Sequence, residues 1–430
     1  MQKLWFLFCT IFLLFLSSGV AAQGAPSWYR SVSDYLNSIF GIDPNAGLTA
    51  FPILRIPMGG RAEGMAGAFS AVADDISFLE HNPAGSSMLE RSEVAFFHNN
   101  WIADANIVGL AFASRRGDMG FAAGARWLYI PFTEYNMLGT RVSRGHYSEG
   151  VATLNLSYNF FRGYNFTGIS VGANLKGAFR IVPDFTDADD VGTNPGAVIP
   201  GSGREQSTIM AMVDLGILTR FNFLKFYSSR DRNAAFGLVL RNLGPPAMGE
   251  PLPSAITAGF SYRPVRPLLF SFDYSVPVNF VDPSLSERPF WAAGFAAEVT
   301  NFLSMRAGLM GRAGNARITV GSGIHLERMS IEVNYTLDLL TQIQPMNRIS
   351  LGVRLNLGDQ GRSVRAGILD SLYLQGIEAY SRRDFVSAQS YWEEALRIDP
   401  RFDPAREGLN VIRRTLELEE RIQEMQQLIF

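Results

Sequence analysis

Cysteine is nearly absent from this sequence. Its one thiol, Cys9, sits inside an apolar run, residues 4–16, that follows Lys3 and leads into Ser17-Ser18-Gly19-Val20-Ala21-Ala22-Gln23. That order reads as a secretory signal over residues 1–22, cut after Ala22 and too short to span a bilayer as a helix. Export then removes the thiol, which excludes disulfide and thiol chemistry from the mature chain. Long apolar runs are missing as well: beyond the signal, no stretch reaches the roughly 18 residues that a membrane-spanning helix needs. Charge of one sign is missing too. With 38 Lys and Arg against 40 Asp and Glu, the chain has no overall basic signature for nucleic acid. Histidine is scarce and scattered. His81, His98, His146 and His325 stand alone, with no His-Glu-x-x-His pair and no Gly-x-Ser-x-Gly, so no catalytic set, metal site or cofactor site emerges and the chain does not read as an enzyme.

What the chain does have is 32 Phe, 14 Tyr and 41 Gly, with 47% hydrophobic and 18% charged residues, which is apolar for an exported soluble protein. An outer-membrane barrel reconciles the two facts, because its strands hide alternate side chains in lipid. From residue 93 to 357 the apolar period is two. Phe270, Phe272, Tyr274, Val276, Val278 and Phe280 alternate with Ser271, Asp273, Ser275, Pro277 and Asn279, and Leu154, Leu156, Tyr158 and Phe160 alternate with Thr153, Asn155, Ser157 and Asn159. Turn signals divide the region into about fourteen strands, starting near residues 93, 105, 117, 147, 166, 205, 233, 253, 267, 289, 302, 315, 328 and 347. An even number lets a single-chain barrel close without a free edge.

Aromatic residues such as Trp101, Trp127, Tyr129 and Trp291 fall near strand ends, where interfacial girdles belong. The longest connections are expected at 132–146 and 183–205. The second carries Asp187-Ala188-Asp189-Asp190, which lacks the twelfth-position Glu of a calcium loop and reads as a solvated acidic loop, with calcium binding left open. Inward Glu298, Glu332, Asp338, Arg306 and Arg354 are expected to pair across the lumen. This facing makes Phe272→Arg costly and Asp273→Asn cheap.

The stretch before the strands, 56–93, is unlike the rest. Gly59, Gly60, Gly64 and Gly67 sit among small residues, and Asn82-Pro83-Ala84-Gly85 is a turn signal. It reads either as a compact, partly mobile plug or as a Gly-rich loop into the first strand. Its spacing from Gly59 to Gly64 is that of a phosphate-binding loop, but Met65 and Ala66 replace the Lys and Ser/Thr that such a loop requires. Asp74 and Asp75 are expected to be solvated or capping. Ahead of it, Trp28, Val32, Tyr35, Leu36, Ile39 and Phe40 fall on one face of a short amphipathic helix, with residues 23–92 as one unit.

After Leu357 the alternation stops, and helices are expected over 364–430. Gly376, Tyr380, Phe385, Ala388, Tyr391, Trp392, Ala395, Leu396 and Pro400 resemble one tetratricopeptide repeat, with Gln375 and Ala379 departing from the usual Leu and Tyr. One repeat cannot bury its own face, so it needs a following helix, a second copy or a periplasmic protein partner. That helix, from about Pro404 to Leu428, carries Val411, Leu418, Ile422, Met425 and Ile429, with Thr415 breaking the row. It reads as a packed cap or a short coiled-coil seam.

Arg61, Gly64, Gly67, Ala68, Asp74, Asp75 and Asn82-Pro83-Ala84-Gly85 resemble the amino-terminal hatch of the FadL-type long-chain fatty-acid transporters and their PorV/PorQ-like and spirochaetal relatives. Arg241-Asn242-Leu243-Gly244, Leu252-Pro253, Phe272-Asp273-Tyr274 and Arg348-Ile349-Ser350-Leu351-Gly352 add to the likeness, which covers about 52–357. The resemblance implies a fourteen-stranded outer-membrane barrel plugged by its hatch. It also implies an apolar ligand in a mainly hydrophobic site, with Asn82, Pro83 and Ala84 holding the hatch and the glycines from Gly59 to Gly67 letting it move. The helical domain is the departure, and it opens a second reading: a membrane anchor for a secretion or envelope assembly.

Overall fold

The computed structural model describes residues 31, 35, 41 and 43–429, apart from 102–104, 136–138, 185, 188–196, 199–201, 314 and 340–345. The signal segment, most of the helix expected at 28–40 and the centre of the acidic loop lie outside the described residues. Fourteen antiparallel strands close into a barrel. They are β1 (Glu93–Asn100), β2 (Asn106–Arg116), β3 (Met119–Tyr135), β4 (Arg141–Phe160), β5 (Ile169–Ile181), β8 (Thr208–Phe221), β9 (Ala234–Leu243), β10 (Ala255–Tyr262), β11 (Leu268–Pro277), β12 (Phe290–Glu298), β13 (Leu303–Arg312), β14 (Asn315–His325), β15 (Met329–Asp338) and β16 (Met346–Asn356). Two further strands, β6 (Thr186–Asp187) and β7 (Ala197–Val198), form a separate hairpin in the longest connection. The ring closes where β1 pairs with β16, from Glu93 opposite Asn356 to Asn100 opposite Ile349.

The expected strand starts agree with the observed ones, with one displacement. β4 begins at Arg141, so 132–146 is not a long loop but mostly paired hairpin, with Pro131 opposite His146 and Glu134 opposite Ser143. Among the described residues two register shifts interrupt the wall: one in β3–β4 between Glu134 and Tyr135, and one in β8–β9 between Val213 and Leu215, opposite Asn242 in left-handed backbone.

Alternate side chains face two media. Phe270, Phe272, Tyr274 and Val276 stand exposed on the outside, while Ser271, Asp273 and Ser275 are buried inside. Leu154, Leu156, Tyr158 and Phe160 repeat the pattern on β4. Trp127, Tyr129 and Trp291 lie on or near the outer surface, but Trp101 is not part of a girdle: its ring lies 4.4 Å from the Arg348 guanidinium.

Tight connections, such as Gly117-Asp118 between β2 and β3, lie at one end of the barrel, and the connections 182–207, 244–254 and 278–289 at the other. The chain leaves the barrel at the tight-turn end, where Leu357 N–H donates to Ser92 O at 2.8 Å. Three helices follow: α3 (Arg362–Ser381), α4 (Phe385–Ile398) and α5 (Asp403–Ile429). Asp359 accepts from Ser363 N–H at 2.7 Å and Gly361 N–H at 3.0 Å, and the Ser363 bonds hold its carboxyl down at about 2. Leu372, Ala388, Trp392, Ala395, Ala405 and Ile412 form their core. A Cβ at Gly376 or Gly408 would overlap the Trp392 ring, so both positions need glycine for helix packing. The unit rests on the turns of β2–β3, β4–β5 and β8–β9 through Arg401–Asp118 (2.6 Å), Arg230–Asp370 (2.5 Å) and Phe402 against Tyr164. Exposed pairs like these contribute up to about 1 kcal/mol each.

Candidate functional site

The interior of the barrel is occupied by residues 50–89, the most continuously buried stretch of the chain, with 44–49 largely exposed at the mouth. It runs from one mouth to the other. Ala50 N–H donates to Pro251 O at the long-loop end, and Asn45 Nδ2 donates to Ser286 O there. The segment then forms α1 (Gly60–Gly64) and α2 (Phe78–His81), turns through a 3-10 stretch, Pro83–Met88, and meets β1 at the tight-turn end.

Three attachments hold it. The first is the turn at Asn82, which is fully buried. Asn82 Nδ2 donates to Ser70 O (2.7 Å) and Ile217 O (3.1 Å), while its Oδ1 accepts from Ala84 N–H (3.0 Å). From the wall, Asn155 Nδ2 donates to Pro83 O at 2.9 Å and Ser170 Oγ to Ala84 O at 2.6 Å. A Cβ on Gly85 would meet Phe78 Cβ at 2.5 Å and Ala73 O at 2.9 Å. The wall yields space here. Gly120, Ser157, Gly172 and Gly216 lie opposite one another across four strands, and a Cβ on any of the three glycines would overlap the segment at Pro83 to Ser87 or Asn82. This groove is legible in sequence only as glycines at inward positions of alternating strands.

The second attachment is Asp273 on β11. It accepts from Phe69 N–H (3.1 Å), Ser70 N–H (2.9 Å) and Ser70 Oγ–H (2.6 Å). The expectation that Asp273→Asn is cheap is therefore corrected. An amide oxygen loses the charge in three buried bonds, each worth about 1.5–3 kcal/mol when one partner is charged. Asp273→Asn is expected to lower the urea midpoint of the detergent-solubilised protein and to increase proteolysis within 56–92.

The third attachment is ionic. Arg61 of α1 meets Asp74 at 2.6 Å and Asp75 at 3.7 Å. Arg354 of β16 meets Asp75 at 2.9 Å, Glu332 at 3.5 Å and Glu93 at 3.7 Å, and Arg306 meets Glu332 at 3.5 Å. A second ladder joins Glu63 to Arg348 and Arg348 to Asp338, each at 2.9 Å, with Arg317 2.7 Å from Asp338. Asp75 caps Ser77 N–H as expected of a carboxylate before a helix, but it is buried and ion-paired rather than solvated. The expected cross-lumen pairing is present for Glu332, Asp338, Arg306 and Arg354. Glu298 differs: it is exposed at the end of β12, 3.5 Å from Arg263.

The glycines of this segment have local reasons. Gly59, Gly60 and Gly67 hold positive φ (128°, 75° and 81°), and a Cβ on Gly64 would come within 2.6 Å of Asn334 Oδ1.

Toward the long-loop end the segment leaves a chamber of about 230 Å³. Leu54, Met58, Leu79, Val151, Pro277 and Met310 line part of it, next to an apolar cluster built from Phe51, Ile53, Ile107, Leu128 and Met212. Its charged part sets Arg126, Lys176, Arg241, Arg312, Arg317 and Arg348 beside Glu63, Glu80, Asp273, Glu287 and Asp338. Apolar atoms form somewhat more than half of the chamber's surface, in the direction the resemblance implied, with the charged part beside them. Most of these cations are paired: Lys176 with Asp214 at 2.6 Å, Arg126 with Glu80, Arg312 with Glu287. Arg241 differs. Among the described residues it forms no ion pair, and its one hydrogen bond runs from Nη2 to Thr257 Oγ1 at 3.0 Å. At the tight-turn end a second cavity, about 360 Å³, is bounded by Arg61, Asp74, Asp75, Glu93, Arg306 and Arg354. Among the described residues, no group of three or more His, Cys, Asp or Glu is arranged to hold a metal ion.

The proposed repeat residues come together in the helical unit rather than in the barrel. Gly376, Ala388, Trp392 and Ala395 are core, the Tyr380 ring lies 6.2 Å from Trp392, and Pro400 O accepts from Arg406 in the turn before α5.

Comparison with known proteins follows this division. A family model described as "Uncharacterised protein family (UPF0164)" matches residues 38–360, the barrel and the segment inside it. A UPF0164 protein of Treponema pallidum (strain Nichols) is 31% identical over 381 residues, covering 85% of this chain and 83% of its own, and another from that organism is 24% identical over 398 residues, covering 86% and 76%. Among solved structures, the CymD monoaromatic hydrocarbon channel aligns with a TM-score of 0.48 at 12% identity, covering 72% of this chain and 99% of that one. The Pseudomonas putida toluene transporter TodX aligns at 0.47 and 13%, covering 69% and 96%. By the extent of the family match and the relative 31% identical over most of both chains, the chain belongs to the UPF0164 family.

Proposed function

We propose that this chain is an outer-membrane conduit for hydrophobic molecules, long-chain fatty acids or compounds like them, with residues 43–92 as its hatch. The observation that carries the reading is a closed, apolar-faced ring whose lumen is filled by a segment fastened at discrete polar points. The segment also packs Met58, Ile76, Phe78, Leu79 and Leu89 on the wall residues Ala95, Phe97, Ala111 and Leu218. Opening as a gate therefore shifts part of it, and the polar fastenings at Asn82, Asp273 and the Arg354 cluster set where it is held. The chamber beside it matches a cargo with an apolar body and one anionic end: the body lies against Leu79, Val151 and Met310, and the end meets Arg241. Buried area supplies the affinity, on the order of 25 cal/mol per Å².

The connection lengths support an orientation with short turns toward the periplasm and long loops toward the exterior. In that orientation α3 to α5, read as a tetratricopeptide-like unit over 364–430, lie in the periplasm. There it either receives cargo or holds a protein partner, with outer-membrane lipid around the strands.

Purified protein in detergent is expected to bind a fluorescent long-chain fatty acid saturably. Asn82→Ala strips two donors from buried carbonyls, a loss of about 1–3 kcal/mol, and is expected to weaken binding together with hatch protection. No saturable binding by the native chain, and no change on Asn82→Ala, defeats the transport reading. The rival reading, an anchor for an envelope assembly, is favoured by the apolar side chains left exposed on α5. Deleting 362–430 separates the two, since retained binding with lost complexes supports transport and the reverse supports assembly.

A further inference from the structure

We propose that α5 joins two copies of this chain through a parallel, two-stranded coiled coil. The helix has two apolar stripes. Ala405, Leu409 and Ile412 face α3 and α4 and belong to the core of the helical unit. The second stripe, Val411, Leu418, Ile422 and Met425, is 44%, 59%, 49% and 56% exposed. With Thr415 it runs at spacings of four, three, four and three, which is a heptad seam: Val411, Leu418 and Met425 at d, Thr415 and Ile422 at a, and the sequence sets Ile429 at the next a.

The helix is longer than its own unit requires. α5 has 27 residues, about 40 Å at 1.5 Å per residue, against 20 residues and about 30 Å for α3. Both leave the barrel rim in the same direction, since Arg401 and Phe402 touch the barrel while Tyr380 OH, near the end of α3, lies 3.2 Å from Thr415 Oγ1. The turns after Thr415 therefore project past α3, and the stripe continues along them.

Three features select a second copy in parallel as the occupant. The a positions are β-branched and the central d is Leu418, the combination that favours two parallel strands, with Val411 and Met425 at the outer d positions and Thr415 also bonded to Tyr380 of its own chain. The flanks are complementary in that arrangement: Arg414 at g of one copy comes beside Glu419 at the following e of the other, and symmetry repeats the pair. An antiparallel arrangement sets g against g and e against e, so Arg414 and Arg421 oppose one another and the Arg–Glu pairing is lost. Orientation comes from the barrel. Two chains rooted in one membrane send α5 away from it in the same direction, and confinement to that plane raises their effective concentration. The parallel orientation rests on the membrane placement proposed above; the seam and its charges do not.

The test uses the full mature chain in detergent, which carries no thiol once the signal is gone. Leu418→Cys is expected to form an inter-chain disulfide under copper-phenanthroline oxidation, and Glu417→Cys, on another face, is not. Arg414→Glu is expected to raise the dimer's dissociation constant roughly tenfold in a light-scattering dilution series, and adding Glu419→Arg to restore it. A native chain that is monomeric by mass overturns the proposal. So do equal cross-linking at 417 and 418, or a position-418 cross-link to a different protein without a self-pair. Fatty-acid binding is read on the same preparations: a dimer that binds none leaves the pairing intact and removes the transport reading, while a monomer that binds does the opposite.

Discussion

Arg354→Leu is expected to unseat the lumenal segment and to lower stability by about 3 kcal/mol, the lower end of the cost of breaking a buried ion pair. The choice of residue follows from its neighbours. Arg354 reaches Asp75 on the segment and Glu93 and Glu332 on the wall, so its loss leaves three carboxylates crowded in a lumen with Arg61 and Arg306 as the remaining cations nearby. The lower end applies because the side chain is 17% exposed and borders the cavity at the tight-turn mouth, where water reduces the penalty. The measurements are conductance of the reconstituted protein in planar bilayers, expected to rise, and the urea midpoint, expected to fall. A second substitution separates lost contact from uncompensated charge. Asp75→Asn in the Arg354→Leu background removes one stranded carboxylate, so it is expected to recover part of the midpoint while the seat stays loose. Unchanged conductance and midpoint in Arg354→Leu would mean that the ionic cluster does not hold the segment.

The barrel was legible in the sequence because its outer face is apolar and its inner face largely polar. Every second residue of β11 must be apolar, and the turn residues between strands divide the pattern. The displaced start of β4 shows where this signal fails. From Arg141 to His146 the strand pairs with β3 but carries polar residues on both faces, so alternation has no contrast there. The lumen was much less legible. Asn82-Pro83-Ala84-Gly85 announces a turn, but its partners Ile217, Asn155 and Ser170 lie 135, 72 and 86 residues away, in each case from Asn82, Pro83 and Ala84 respectively. Sequence spacing also leaves Asp75 beside a short helix, where a solvated cap is the ordinary outcome. Its burial follows from closure of the ring, which brings β16 beside β1 and Arg354 over the segment. The charged chamber was hidden for the same reason, since Arg241 stands alone on β9 until β10 and the segment are folded against it.

Phe272→Arg is expected to cost about 2–4 kcal/mol, the penalty for a cation on the lipid face near the bilayer midplane. Phe272 is the fifth of ten residues in β11, 46% exposed, with its ring 6.4 Å from Trp291 on the next strand and its backbone opposite Phe260 on the other. Neither of its cross-strand partners, Phe260 and Ala293, is a carboxylate that could receive a guanidinium. Phe272→Leu keeps the face apolar and is expected to lose only the ring contact with Trp291, about 0.5–1.5 kcal/mol. The two variants, refolded into lipid vesicles and unfolded with urea, therefore separate burial in hydrocarbon from aromatic packing. A membrane around the strands makes arginine the far worse of the two. Water around them leaves a solvated arginine on the surface and brings both variants to the same small loss, and that equality would place the outer face of the barrel in water.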